Sequence, residues 1–81
     1  MEPNTDFQEL VEYIVKSIVD NPEQVSVAEM EERGSVILEV SVAESDMGRV
    51  IGRGGNVVNS IRSLVQVLAT KKGRRVSLEI V

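Results

Sequence analysis

The sequence lacks the two side chains on which most metal and nucleophile chemistry depends. Its 81 residues include no cysteine and no histidine. The lack of cysteine excludes disulfides and thiolate metal sites, and the lack of histidine removes the commonest metal ligand and the side chain that titrates near neutral pH. No nucleophile and base stand together near the glycine-rich segment of the chain. We therefore expect a protein that is not an enzyme and that needs no metal or cofactor.

Aromatic side chains and long apolar runs are also scarce. Phe7 and Tyr13 are the only aromatic residues, so the core must consist of Val, Ile, Leu and Met side chains. Hydrophobic residues make up 42% and charged residues 27% of the chain, as in a folded domain. The chain starts MEPNTDF, and its uninterrupted apolar runs do not exceed three residues, unlike a secretory signal. We expect a single domain over residues 1–81, located in the cytoplasm and without membrane partners, with residues 1–5 flexible.

Charge is distributed unevenly along the chain. The formal net charge is −4, but residues 1–45 carry two basic and eleven acidic side chains, whereas residues 46–81 carry seven basic and two acidic ones. A local basic region can attract a polyanion even on an acidic protein. Solvated surface charges without any ligand produce the same imbalance, so charge alone leaves both explanations open.

Hydrophobic periodicity predicts helices and strands in an order that defines a fold class. We predict helices over residues 6–19, 47–51 and 56–72, and strands over residues 25–32, 36–43 and 75–81, the first strand with an acidic outer face or a bulge. A turn at Gly34-Ser35 joins the first two strands into an antiparallel hairpin. The two helices between the second and third strands form a crossover of the kind that joins parallel strands. The prediction is therefore an α+β fold of order α-β-β-α-α-β, with a three-stranded mixed sheet and helices on one face.

The ends of the predicted helices carry suitable capping residues. Thr5 or Asp6 can cap the first helix, Ser45 or Asp46 the second, and Asn56 the third. The third helix carries a core-facing apolar stripe, which consists of Val57, Val58, Ile61, Leu64, Val65 and Leu68.

Four of the six glycines lie within residues 48–55, directly before the third helix. Gly52-Arg53-Gly54 begins like a dinucleotide fingerprint, but Val57 occupies the third glycine position. A Walker-type loop is excluded because no Gly-Lys-Ser/Thr follows. The remaining interpretation is a G-x-x-G loop at residues 52–55 between two helices. Such a loop lets a sugar-phosphate backbone lie against peptide N–H groups and a helix N-terminus.

The segment VIGRGGNVV, residues 50–58, resembles the VIGKGGxxI signature of the KH (K-homology) RNA-binding domains. Arg53 replaces the commoner lysine and keeps the positive charge, and Val58 replaces isoleucine. A helix and a strand precede the core unit, as in the type II, prokaryotic-style arrangement. The resemblance covers roughly residues 7–81 and extends to small bacterial proteins with a single KH domain. It implies that the ligand is single-stranded RNA, of which such a domain clamps about four nucleotides.

The expected RNA site surrounds the G-x-x-G loop. In it, glycines leave room for phosphates, and two arginines supply positive charge. Val50 and Ile51 are expected to line an apolar groove under the bases, opposite the strand of residues 36–42. The site comprises Arg49, Val50, Ile51, Gly52, Arg53, Gly54, Gly55 and Asn56.

The resemblance further implies pairing, either as a homodimer or with a larger RNA-binding protein that has its own KH domain. Val67 lies about 120° from the centre of the core stripe. We therefore expect a partner surface at Ile61, Leu64 and Val67, although Ile61 and Leu64 also suit the core. The expected role is that of an RNA chaperone or post-transcriptional regulator. The alternative is a protein-interaction module of the same fold with little RNA affinity, which the negative net charge favours.

Overall fold

A computed structural model describes residues 5–81 of the protein, without the side chains of Thr5 and Asp6. Thr5, which was predicted to be flexible, belongs to the first helix. Residues 1–4, also predicted to be flexible, lie outside the described residues, and so do the side chains of Thr5 and Asp6, which were predicted to cap this helix. The elements of residues 5–81 follow the predicted α-β-β-α-α-β order. They are α1 (Thr5–Ile18), β1 (Ser26–Glu32), β2 (Ser35–Ser41), α2 (Met47–Ile51), α3 (Asn56–Lys72) and β3 (Arg75–Ile80), connected in part by short 3₁₀ turns at Pro22–Gln24, Glu44–Asp46 and Arg53–Gly55.

β2 is the central strand of the predicted mixed sheet, whose order is β1-β2-β3. β1 pairs antiparallel and β3 pairs parallel with β2. β1 and β2 pair one to one over all seven residues of each strand, rather than around a bulge. Their turn consists of Arg33 and Gly34, whose positive φ values of 54° and 83° suit a two-residue hairpin. The predicted turn at Gly34-Ser35 is therefore one residue too late, since Ser35 already pairs with β1.

The core lies between one face of the sheet and the helices, as predicted. The buried face of the central strand presents Val36, Leu38 and Val40, each at most 1% exposed. Phe7 adds an aromatic ring to a core that is otherwise aliphatic. The buried residues of the helices are Phe7, Val11, Val15, Val50, Val58, Ile61, Val65 and Ala69. Because β2 lies between β1 and β3, both of its backbone edges are paired with neighbouring strands, and neither edge is open to a ligand.

The orientation of α3 differs from the predicted apolar stripe. Leu64 is 56% exposed, so its assignment to the core is wrong. The buried positions of α3 are Val58, Ile61, Val65 and Ala69, which are separated by three, four and four residues. Leu64 lies about 100° from the centre of this set on a helical wheel. The buried side of α3 thus includes Ala69 and leaves Leu64 outside it.

Candidate RNA-binding site

The G-x-x-G loop is a single 3₁₀ turn between α2 and α3, and three of its residues have positive φ. Gly52 has φ 78° and ψ 171°, a conformation that only glycine adopts readily. A Cβ atom at Gly52 would lie 2.6 Å from Val57 Cγ2 and 2.7 Å from the Val57 backbone nitrogen. Glycine is thus required at 52 because α3 begins in contact with the end of α2. Phosphate access, the role expected for this glycine from the sequence, is therefore not its only role, because packing against Val57 also requires it.

The outer side of the loop is open. A Cβ atom at Gly54 would meet nothing within 4 Å, whereas one at Gly55 would lie 3.3 Å from Asn59 Nδ2. Arg53 is exposed next to Gly54, and within residues 5–81 no acidic side chain pairs with it. The loop therefore presents backbone and one guanidinium group directly to solvent.

The N-terminus of α3 points into this loop. Gly55 occupies the cap position in a left-handed conformation, and no side chain of the described residues caps the helix. Asn56 is the first helical residue, so its predicted capping role is wrong. The N–H groups of Gly55 and Asn56 donate to the carbonyl oxygens of Gly52 and Arg53 within the turn. The helix dipole gives this end of α3 about half a positive charge, and Arg53 adds a full one beside it.

A groove of about 240 Å³ runs between α3 and β3. Its residues are Arg62, Val65, Gln66, Val76, Ser77, Leu78 and Glu79. The predicted position of the groove, opposite β2, is therefore wrong, because β2 is the central strand and β3 is the edge strand beside α3. β3 runs antiparallel to α3, and the groove lies along the middle of the helix, from Arg62 to Gln66. The end of the groove nearer the loop is at Arg62, which contacts Asn59 one turn after Gly55.

Two side chains of α3 hold backbone carbonyls of β3 in this groove. Gln66 Nε2 donates to the Val76 carbonyl oxygen at 2.6 Å, and Arg62 Nε donates to the Leu78 carbonyl oxygen at 3.1 Å. These carbonyls point away from β2. Arg62 also donates to Asn59 Oδ1 at 3.0 Å. Arg62 is thus a groove residue that contacts both β3 and its own helix.

One family model matches nearly the whole chain, including the loop segment. A family model described as "KhpA/KhpB, KH domain" matches residues 8–80. The chain belongs to this family of KH domains. The predicted resemblance to KH domains is confirmed, and so is its extent over nearly the whole chain.

Curated bacterial relatives carry the name "RNA-binding protein KhpA". The protein from Caldanaerobacter subterraneus subsp. tengcongensis is 47% identical over 73 residues, which cover 90% of this chain and 97% of the relative. The protein from Borreliella burgdorferi is 47% identical over 72 residues, covering 89% and 88% of the two chains. This name is that of a binding protein, in agreement with the prediction that the chain is not an enzyme.

A solved structure supports the fold of the KH domain independently. The crystal structure of Aquifex aeolicus Era, a single-residue variant bound to GDP and AlF4−, superimposes with a TM-score of 0.67 at 21% identity. The match covers 99% of this chain but 31% of the Era chain. It shows that the helices and strands of this chain are arranged as in part of Era.

The apolar residues before the loop have different positions. Val50 is fully buried in the core, so its predicted contact with bases is wrong. It belongs to the core instead, where α2 packs against α3 and α1. Ile51 is half-buried and packs against the core. Val50 and Ile51, which precede the first glycine of the loop, thus contribute more to the core beneath the loop than to a groove.

Asp46 is a buried carboxylate behind the loop, at 1% exposure. It accepts hydrogen bonds from the backbone N–H groups of Asp20 at 3.2 Å and Asn21 at 3.1 Å, and from Asn21 Nδ2 at 3.1 Å. Burial raises the pKa of Asp46, but these hydrogen bonds and the nearby Arg49 outweigh burial, so the pKa lies below its ordinary value. Asp46 therefore fastens the start of α2 to the end of α1, whereas the sequence analysis expected Ser45 or Asp46 to cap α2.

Arg49 lies one turn before the loop. Its Nη2 is 3.5 Å from Asp20 Oδ2, and its side chain is 57% exposed. This is a weak, solvent-exposed ion pair, which a phosphate can replace at little cost.

The predicted partner surface is reduced to two residues. Leu64 is 56% and Val67 is 68% exposed on the side of α3 that faces away from the sheet. Ile61 is 4% exposed and packs in the core, so placing it on this surface is wrong.

Two further findings concern membranes and metals. Within residues 5–81, no helix combines the length and the apolar character needed to cross a membrane. The same residues contain no group of three or more Asp, Glu, His or Cys side chains able to hold a metal ion.

Proposed function

We propose that the chain acts as a single KH domain over residues 1–81 and binds single-stranded RNA through its G-x-x-G loop. The observation that carries this proposal is the open loop at the N-terminus of α3, with Gly54 unobstructed and Arg53 exposed. A helix N-terminus and an exposed guanidinium group, which pairs with no acidic side chain of the described residues, suit the phosphates of a nucleic-acid backbone. The names of the curated relatives support RNA as the polyanion.

The bases would lie in the groove between α3 and β3. This groove combines apolar walls with the polar edge of β3. Arg62, at the end of the groove nearer the loop, contacts Asn59, which lies close to Gly55. A site of this kind covers about four nucleotides. Phe7 is buried in the core and Tyr13 lies on α1, so bases would contact aliphatic groups instead of stacking on rings. We expect one copy to bind weakly and with little sequence selectivity, because aromatic stacking is a main source of affinity for single strands.

The proposed role is that of a cytoplasmic RNA chaperone or post-transcriptional regulator. Weak binding by one copy becomes effective when two domains engage one RNA, since the second contact is then intramolecular. We propose that Leu64 and Val67 form the surface for a second copy or for a larger KH-domain protein, because both are large, apolar and exposed on one helix.

The second candidate is a protein-interaction module with little RNA affinity. The net charge of −4 and the exposed Leu64 and Val67 favour it. In this case the loop would be a structural joint between α2 and α3, and pairing through α3 would be the function.

A fluorescence anisotropy titration with short single-stranded RNA separates the two candidates. The test variant carries Arg53→Asp with Gly54→Asp, which the open space at Gly54 and its left-handed φ of 62° allow. The matched control carries Arg33→Asp with Gly34→Asp in the β1–β2 turn, where φ is also positive. Both double variants change the charge equally, and the control lies at the other end of the sheet.

The RNA-binding function predicts that the loop variant loses binding while the control keeps it, with both folded by circular dichroism. Absence of RNA binding by the wild-type protein, or equal losses in both variants, would contradict it. The first of these results would favour the interaction module.

A further inference from the structure

The two edges of the sheet are covered by side-chain amides in the same manner. On β3, Gln66 Nε2 donates to the Val76 carbonyl oxygen at 2.6 Å. On β1, Gln8 Nε2 donates to the Val27 carbonyl oxygen at 2.7 Å. Each contact satisfies a carbonyl that points away from β2 and blocks the addition of another strand. The two contacts have different surroundings: Gln66 lies in the groove proposed for the bases, and Gln8 does not.

The Gln66 contact occupies an acceptor that a base can use. An exocyclic amino group or a ring N–H of a base donates in the same way as the glutamine amide. The carbonyl oxygen of Val76 has a second lone pair, but the Gln66 side chain itself lies in the groove, so a base that approaches this edge competes with Gln66 for both the space and the acceptor. Arg62 is less easily displaced from the neighbouring carbonyl of Leu78, since its guanidinium group also donates to Asn59. Its positive charge moreover favours a nearby nucleic acid.

We propose that Gln66 competes with RNA for the edge of β3 and thereby lowers the affinity of the groove. This inference rests on the proposed RNA-binding function. The Gln66 hydrogen bond keeps the edge of β3 closed in the free protein, and RNA exchanges it for a hydrogen bond from a base. Removing the amide therefore leaves the Val76 carbonyl open and makes binding tighter. The direction is opposite to that expected of a residue that contacts RNA.

The test compares Gln66→Met with Gln8→Met in anisotropy titrations with octamers of adenosine, cytidine and uridine. Methionine has a similar length and lacks the amide donor. Both substitutions remove one amide-to-carbonyl hydrogen bond from an edge strand, so both lower the melting temperature. Because one net hydrogen bond is exchanged on binding, Gln66→Met should tighten the best-bound octamer about three- to tenfold. Gln8→Met should leave its affinity within about twofold of the wild type, because β1 lies outside the groove.

If the wild type binds RNA through the loop and Gln66→Met leaves the affinity unchanged or weakens it, the proposal that Gln66 competes with RNA is overturned. The proposed RNA-binding function is unaffected by that result. Equal tightening by both variants also overturns it, because the effect then comes from general loosening of the fold. If neither the wild type nor Gln66→Met binds any octamer, the proposed function fails together with this inference.

Discussion

Replacement of Gly52 by alanine tests whether the G-x-x-G loop depends on close packing between α2 and α3. The new Cβ atom would lie 2.6 Å from Val57 Cγ2 and 2.7 Å from the Val57 nitrogen, so the start of α3 must move. The φ of 78° with ψ 171° costs an alanine about 1–3 kcal/mol, and overpacking adds about 1–3 kcal/mol. We expect a loss of about 3–5 kcal/mol, from a total stability of about 4–12 kcal/mol for a domain of this size.

Gly54→Ala is the matched control for this substitution. Its φ of 62° is also positive, but the Cβ atom meets nothing within 4 Å. The left-handed conformation costs about 1–2 kcal/mol, partly offset by the lower entropy of the unfolded chain. In a domain of 60–100 residues, 1 kcal/mol shifts the melting temperature by about 4–8 °C. Thermal unfolding followed by circular dichroism should show a loss of at least about 15 °C for Gly52→Ala and about 5 °C for Gly54→Ala. Equal losses would refute the packing explanation.

Two other substitutions test the support behind the loop and the exposed face of α3. Because folding lowers the pKa of Asp46, its contribution to stability is complete at neutral pH and is lost as the pH falls through the lowered value. Asp46→Asn should therefore lower the melting temperature at pH 7 and flatten the decline of the melting temperature in acid. Glu44→Gln, at an exposed site, is the control and should leave the dependence of the melting temperature on pH unchanged. If the melting temperature of Asp46→Asn declines in acid as steeply as that of the wild type, the prediction is contradicted. Val67→Glu should shift sedimentation towards the monomer, while Tyr13→Glu on α1 should not. An unchanged oligomer in Val67→Glu would remove α3 as the pairing surface.

The sequence predicts the order of elements because each one has a clear period and clear boundaries. Alternation within residues 36–41 and the three-and-four spacing in α1 require burial on one side, and the structure provides it. The strand ends at Ser41, two residues before the predicted end, and Ala43 is buried rather than on the outer face. The glycine cluster identifies the loop and the family together with its context, which is the segment VIGRGGNVV between two helices with strands on both sides. Patterns of this kind depend on local geometry, which neighbouring residues determine.

The errors concern features that depend on how the elements pack together. Leu64 fits the apolar stripe, but α3 packs through Val58, Ile61, Val65 and Ala69, so Leu64 is exposed. The hydrogen-bond partners of Asp46 lie 25 and 26 residues earlier in the chain, and no periodic pattern marks a buried carboxylate. The groove was placed opposite β2 because faces were assigned from alternation, which does not show which strand borders α3.

A nuclear magnetic resonance titration of the protein with a short single-stranded RNA tests the central claim most directly. The claim predicts that backbone amide signals shift at residues 52–56 of the loop and at Val76 and Leu78 along the groove. The signals of Arg33 and Gly34, at the other end of the sheet, should stay in place. Shifts confined to the β1–β2 turn or to the exposed face of α3, or no shifts at all, would contradict RNA binding by the G-x-x-G loop.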